Sequence, residues 1–316
     1  MTLPSYTRAV LLLILCTFFW GSSFPVGKHI LTEVHAYSMV LWRFVIAALC
    51  LLIYVKVARI AWPKHLTTQQ WLYVVIVSII GVGGLNLALF SGLTYTSSTD
   101  GALIMALSPL FTSLMASLFH RTIPSMGQFI SLAISLLGVL LVITNGHLSL
   151  LLGLQINYGD KLIFCGMLAW SLYTFLTQGI SKWMPLIPYT LVGMISGASV
   201  IGLVCLFSPN IHPWHEVIHS SSSVFYGVMY IGMFATVAGY LLWINGVKQL
   251  GSAKASLFFN FVPVFAVLVS FLFGQPVTLL QVVGMVVVIF GLVLPNLWSS
   301  LTFKTKKAYP ACKVTK

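Results

Sequence analysis

The stretch Gly239-Tyr-Leu-Leu-Trp-Ile-Asn-Gly-Val-Lys-Gln-Leu-Gly-Ser-Ala-Lys-Ala-Ser-Leu-Phe-Phe-Asn-Phe-Val-Pro263 decides the fold. It reads as the end of one apolar helix, a short basic loop and the start of the next. A weaker copy, Phe90-Ser-Gly-Leu-Thr-Tyr-Thr-Ser-Ser-Thr-Asp-Gly-Ala-Leu-Ile-Met-Ala-Leu-Ser-Pro109, lies upstream. Gly92 to Pro109 and Gly246 to Pro263 are both 17 residues apart, and Gln128 to Gly138 and Gln281 to Gly291 both ten. Trp20-Gly21-Ser22-Ser23 and Trp170-Ser171 open the two halves. Such self-similarity points to duplication of a unit of about 150 residues.

Working outward, the 316-residue chain is 59% hydrophobic and 6% charged, with mean hydropathy +1.01. So few charges cannot cover a soluble core of this size. Apolar runs of about 20 residues recur, the length that crosses a bilayer as a helix. The pattern predicts ten spans: 8–28, 36–57, 70–92, 99–119, 126–145, 159–180, 189–208, 223–245, 254–273 and 277–298. The fold class expected is an all-α integral membrane protein with ten transmembrane helices as two inverted five-helix repeats. The first repeat is 8–145, the second 159–298, and 299–316 is a basic cytoplasmic tail. Gly146–Tyr158 would be the hinge. The first span could be read as a secretory leader after Arg8, but its Trp20 matches Trp170, so it is kept as a span.

The net charge of +12 sorts by side. Arg8, Lys56, Arg59, Lys64, Arg121, Lys182, Lys248, Lys254 and the Lys304–Lys316 cluster fall on one face if the N-terminus is inside. Glu33, Asp100, Asp160 and Glu216 fall on the other. The positive-inside rule then puts both termini in the cytoplasm of a cell inner membrane. The charge thus belongs to orientation and to lipid headgroups, and no nucleic-acid partner is expected. Five spans per half make the second half enter from the opposite face, a design that encloses a midplane site.

This order of motifs resembles the EamA type of the drug/metabolite transporter superfamily over residues 10–298. Trp20-Gly21, Trp42-Arg43-Phe44, the Gly239-Tyr-Leu-Leu-Trp run leading to Val262-Pro263, Thr278-Leu279-Leu280-Gln281 and Gly284 carry the likeness. The resemblance implies a transporter, more often an exporter of amino acids or related metabolites than an importer. It also implies a Glu just after spans 4 and 9. Here His120-Arg121 and Gly274-Gln275 stand there, so coupling through that carboxylate does not carry over.

Candidate substrate-binding residues follow from chemistry that lipid would not favour. Arg43 is the one charge deep in a span, roughly 10 Å from its outer end. It either grips a carboxylate of the cargo or snorkels and ties helices together. Trp20, Ser23, Asn86, Ser108, Trp170, Tyr173, Tyr240 and Asn260 lie on small, polar or aromatic helix faces, which suit either a cavity or close packing. Pro109 and Pro263 are candidate helix kinks. His215-Glu216-Val217-Ile218-His219 fits the zinc-protease pattern H-E-x-x-H, with His212 nearby. It sits in a short loop with no later carboxylate. A membrane metalloprotease is therefore the outlying alternative, and no cofactor or metal is expected. Cys16, Cys50, Cys165, Cys205 and Cys312 show no paired spacing and read as small core residues. The cargo expected is a small carboxylate-bearing molecule.

Overall fold

A computed structural model describes residues 5–93, 95–96, 104–121, 126–144, 157–274 and 276–291. Residues 146–156 of the expected hinge Gly146–Tyr158 and the tail at 299–316 lie outside the described residues, and Tyr158 already begins a helix. Among the described residues, seven helices are long and apolar enough to cross a bilayer, and three shorter apolar helices complete a set of ten. They are α1 (Ser5–Ile30), α2 (Ala36–Val57), α3 (Thr68–Gly92), α4 (Ser108–His120), α5 (Met126–Thr144), α6 (Tyr158–Ile180), α7 (Leu186–Leu206), α8 (Ser222–Leu250), α9 (Ser252–Leu272) and α10 (Leu279–Gly291). A six-residue helix, Pro213–Ile218, interrupts the α7–α8 connection.

Local chemistry sets the ends. Thr67 and Gln70 close a capping box at α3, and Asn157 and Asp160 another at α6, each satisfying orphan backbone donors. Gly251, at φ +83°, makes the break between α8 and α9, a conformation side chains resist. Leu11, Leu15, Leu52, Ile53, Leu203 and Leu206 are exposed. An apolar surface of that kind belongs in lipid.

The packing obeys an exchange of α1–α5 with α6–α10. Helix α1 packs on α8 and α9, as α6 packs on α3 and α4; α2 packs on α8, as α7 packs on α3. Helices α2 and α7 meet each other, as do α4 and α9. The glycines of the quoted motif are equivalent contacts. A Cβ on Gly246 would come 2.4 Å from Leu13, and one on Gly92 2.4 Å from Ile163. The third helix of each repeat carries a π-helical segment, Ile79–Gly84 in α3 and Ile231–Ala238 in α8. Neither was foreseen. Pro109 and Pro263 each lie in the first turn of a helical segment that restarts after an interruption. There a missing N–H is cheap, so they mark half-breaks and not bends of a continuous helix.

Every described carboxylate caps a helix at one end of the molecule, here the acidic end. Glu33 accepts the Ser221 backbone N–H and hydroxyl, both at 2.7 Å, at the start of α8. Glu216 accepts the His35 N–H at 2.8 Å, at the start of α2, and the His212 N–H at 2.9 Å. Asp160 accepts the Asn157 N–H at 2.9 Å and the Thr96 hydroxyl at 2.5 Å. A carboxylate at a helix N-terminus is favoured by the helix dipole.

Partial burial pushes the Glu216 carboxyl up, but the His35 and His212 N–H groups outweigh it and hold it below its ordinary value. The Ser221 N–H and hydroxyl do the same for Glu33. A depressed native pKa contributes stability above the unfolded value and loses it as pH falls through the native one. Glu216→Gln is therefore expected to lower the melting temperature by a few degrees at neutral pH. The deficit should shrink to nothing in acid. Thermal melts of both proteins across the acidic range check this; a deficit independent of pH contradicts it.

Candidate functional site

The centre of the molecule is an aromatic cluster drawn from both repeats. The Trp20 ring of α1 lies 5.4 Å from Trp170 of α6, 5.1 Å from Trp243 and 5.9 Å from Tyr240 of α8, and 5.8 Å from Phe259 of α9. Trp170 stacks on Tyr173 at 5.5 Å, and Tyr173 on Tyr189 of α7 at 6.1 Å. Trp20 is fixed by its indole N–H, which donates to the Ala235 carbonyl at 2.8 Å. Gly239 makes room for it, since a Cβ there would stand 2.5 Å from the indole nitrogen.

Arg43 borders this cluster. Its Nε donates to the Thr236 hydroxyl at 3.0 Å, and Thr236 in turn donates to the Ile231 carbonyl at 2.9 Å, five residues back in the π-helical register. The guanidinium carbon sits 5.6 Å from the Phe44 ring and faces the Tyr240 phenol. Asn86, which donates to Val82 at 2.8 Å, reaches the Tyr240 hydroxyl. Asn86 precedes Gly92 by six residues, as Tyr240 precedes Gly246, so the two touching side chains are repeat equivalents. The described carboxylates are all engaged at the acidic end. Arg43 is thus a half-buried cation without a carboxylate among the described residues. π-helical segments recur at functional sites, and here one supplies the partner of the isolated cation.

Of the nine expected residues, Trp20, Trp170, Tyr173 and Tyr240 come together, with Arg43 and Asn86 against Tyr240. Three stand apart. The Ser23 hydroxyl donates to its own helix at Trp20, 2.6 Å away. Ser108 accepts, through its carbonyl, the Ser171 hydroxyl at 3.2 Å in the α4–α6 contact. Asn260 donates to Ser135 of α5 at 2.9 Å. Trp243, Phe259 and Tyr189 were missed. Trp243 was legible, because it follows Tyr240 by three positions and so shares its helix face. Clefts of about 390 and 910 Å³ open at the acidic end, beside Tyr37 and Trp214, and none of the nine residues lines them.

The H-E-x-x-H residues form a clasp. The His215 and His219 rings stack 4.1 Å apart, and both Glu216 oxygens are taken by backbone N–H groups. Among the described residues no three His, Cys, Asp or Glu side chains converge on a metal position. The described cysteines are all free thiols, with Cys16 and Cys205 buried.

Comparison with known proteins agrees with this architecture. A family model described as the EamA-like transporter family matches residues 7–144 and again 157–297. The uncharacterised transporter YyaM of Bacillus subtilis is 34% identical over 86% of this chain and 88% of its own length. YrdR of the same organism, also an uncharacterised transporter, is 26% identical over 88% of each chain. A crystal structure superimposes with a TM-score of 0.76 over 94% of this chain and 99% of its own, at 15% identity, which speaks to the fold alone.

Proposed function

The chain belongs to the EamA-like transporter family, and from that premise we propose that it is a secondary exporter of small carboxylate-bearing metabolites such as amino acids. It works by alternating access, as a carrier and not as an enzyme. Arg43 carries this reading. A cation held in a span by a hydroxyl and an aromatic face, with no carboxylate on it among the described residues, is costly unless something anionic visits it. The guanidinium suits a carboxylate oxygen pair, and the ring cluster beside it suits an apolar body. Inverted repeats supply the motion, each five-helix unit rocking against the other.

The test is a screen of metabolites in the growth medium on overexpression. Carboxylates should accumulate with the wild type and not with Arg43→Leu expressed at the same level. Identical media contradict the proposal.

Orientation follows from the charges: the acidic end faces out, and both termini lie in the cytoplasm of the inner membrane. A cysteine placed at Thr96 is expected to react with an impermeant thiol reagent from outside the cell. One placed at Lys248 should react only after the membrane is opened. Labelling of both positions from one side contradicts the inverted arrangement.

A further inference from the structure

We infer that the indole N–H groups of Trp170 and Trp243, and not that of Trp20, form a donor pair for an uncharged acceptor oxygen of the cargo. The inference rests on the transport reading above and narrows its substrate class: an acid whose flat apolar body also bears a carbonyl.

The repeat symmetry carries the argument. Trp20 lies seven residues past Leu13, and Trp170 seven past Ile163; Ala235 precedes Gly246 by eleven residues, as Gly81 precedes Gly92. Since Gly246 packs on Leu13 as Gly92 packs on Ile163, symmetry would aim the Trp170 N–H at the Gly81 carbonyl, as Trp20 meets Ala235. Two residue differences between the repeats prevent it. The equivalent of Gly239 is Leu85, and a Cβ at position 239 would stand 2.5 Å from the Trp20 nitrogen. The equivalent of Ser23 is Tyr173, whose ring covers Gly81 so closely that a Cβ there would lie 2.2 Å from it.

Trp170 therefore stacks on Tyr173 at an interplanar angle of 26°. Among the described residues its indole nitrogen is buried without a partner, and so is that of Trp243. The two side chains are 2% and 0% exposed, and their rings lie 5.5 Å apart. Buried donors are seldom left unpaired, because leaving them so is costly. Two of them among ring faces seek an acceptor on an apolar body. Arg43 reads the charge of such a molecule, and the indoles read a second group that is neutral.

Two acids that differ by one group test this: benzoylpropionate, which has a ketone beside its ring, and phenylbutyrate, which has a methylene there. Binding is measured by calorimetry on the purified full chain. The wild type should prefer the ketone acid by about tenfold, the worth of one net hydrogen bond. In ¹⁵N spectra of labelled tryptophan, the Trp170 and Trp243 indole signals should shift further with the ketone acid than with phenylbutyrate, and the Trp20 signal should respond alike to both. Trp170→Phe with Trp243→Phe should abolish the preference. If the double variant does not fold, the wild-type preference decides alone. Equal affinity for the two acids, or a preference that survives in the double variant, overturns the inference. The carrier reading stands in that case, provided both acids bind in an Arg43-dependent way. If neither acid binds the wild type, both the inference and the carboxylate reading fall.

Discussion

A Gly21→Val variant is expected to give almost no folded protein. Gly21 lies where α1 crosses α9, and even a Cβ there would stand 2.6 Å from the Val262 carbonyl oxygen and the Phe265 Cβ, and 2.9 Å from the Ala266 nitrogen. Two of these atoms belong to backbone, which cannot swing aside as a side-chain tip can. The helices would have to separate along a contact that ties the first repeat to the second. Overpacking of a tight core costs about 1–3 kcal/mol even where side chains can adjust, and here they cannot. Gly179 is the control. Nothing lies within 4 Å of a Cβ placed there, so Gly179→Ala should be neutral or gain up to about 1 kcal/mol from helix propensity. Size-exclusion yield and melting temperature in detergent check both. A Gly21→Val protein as stable as the wild type would mean that α1 does not lie on α9 in this way.

The second large effect is on transport. Arg43→Leu should abolish flux, and Arg43→Lys should lower kcat/KM by about tenfold or more, with folded yield close to normal in the lysine variant. Lysine keeps the charge but loses the planar fork that holds Thr236 through Nε and leaves the other guanidinium nitrogens for a carboxylate. A loss in KM alone would assign Arg43 to uniform binding; a loss in kcat as well would assign it to the moving step. Wild-type flux in both variants would remove Arg43 from the site.

The fold was largely legible because lipid leaves the chain few options. The 17-residue spacing after Gly92 and Gly246 marked contacts that the structure makes equivalent, against Ile163 and Leu13. The central aromatic cluster was legible for a related reason: Trp20, Trp170 and Tyr240 stand in the repeated motifs. The π-helical segments were not legible. They lie where α3 packs on α7 and α8 on α2, contacts between segments far apart in sequence, and no residue type announces the register. Asn260 meets Ser135 of α5 and not the ring cluster, a neighbour 125 residues away that its local sequence does not announce. Glu216 belonged to a local pattern, yet one of its two backbone partners lies 181 residues away at His35. A local motif cannot announce a contact of that range.

Purified protein in liposomes, without ATP, tests the central claim most directly. Vesicles are loaded with the metabolite that accumulates in the medium, and uptake of a labelled trace of it is followed. The account predicts saturable counterflow with the wild type and none with Arg43→Leu. Counterflow no faster than in protein-free liposomes, or undiminished in Arg43→Leu, would contradict it.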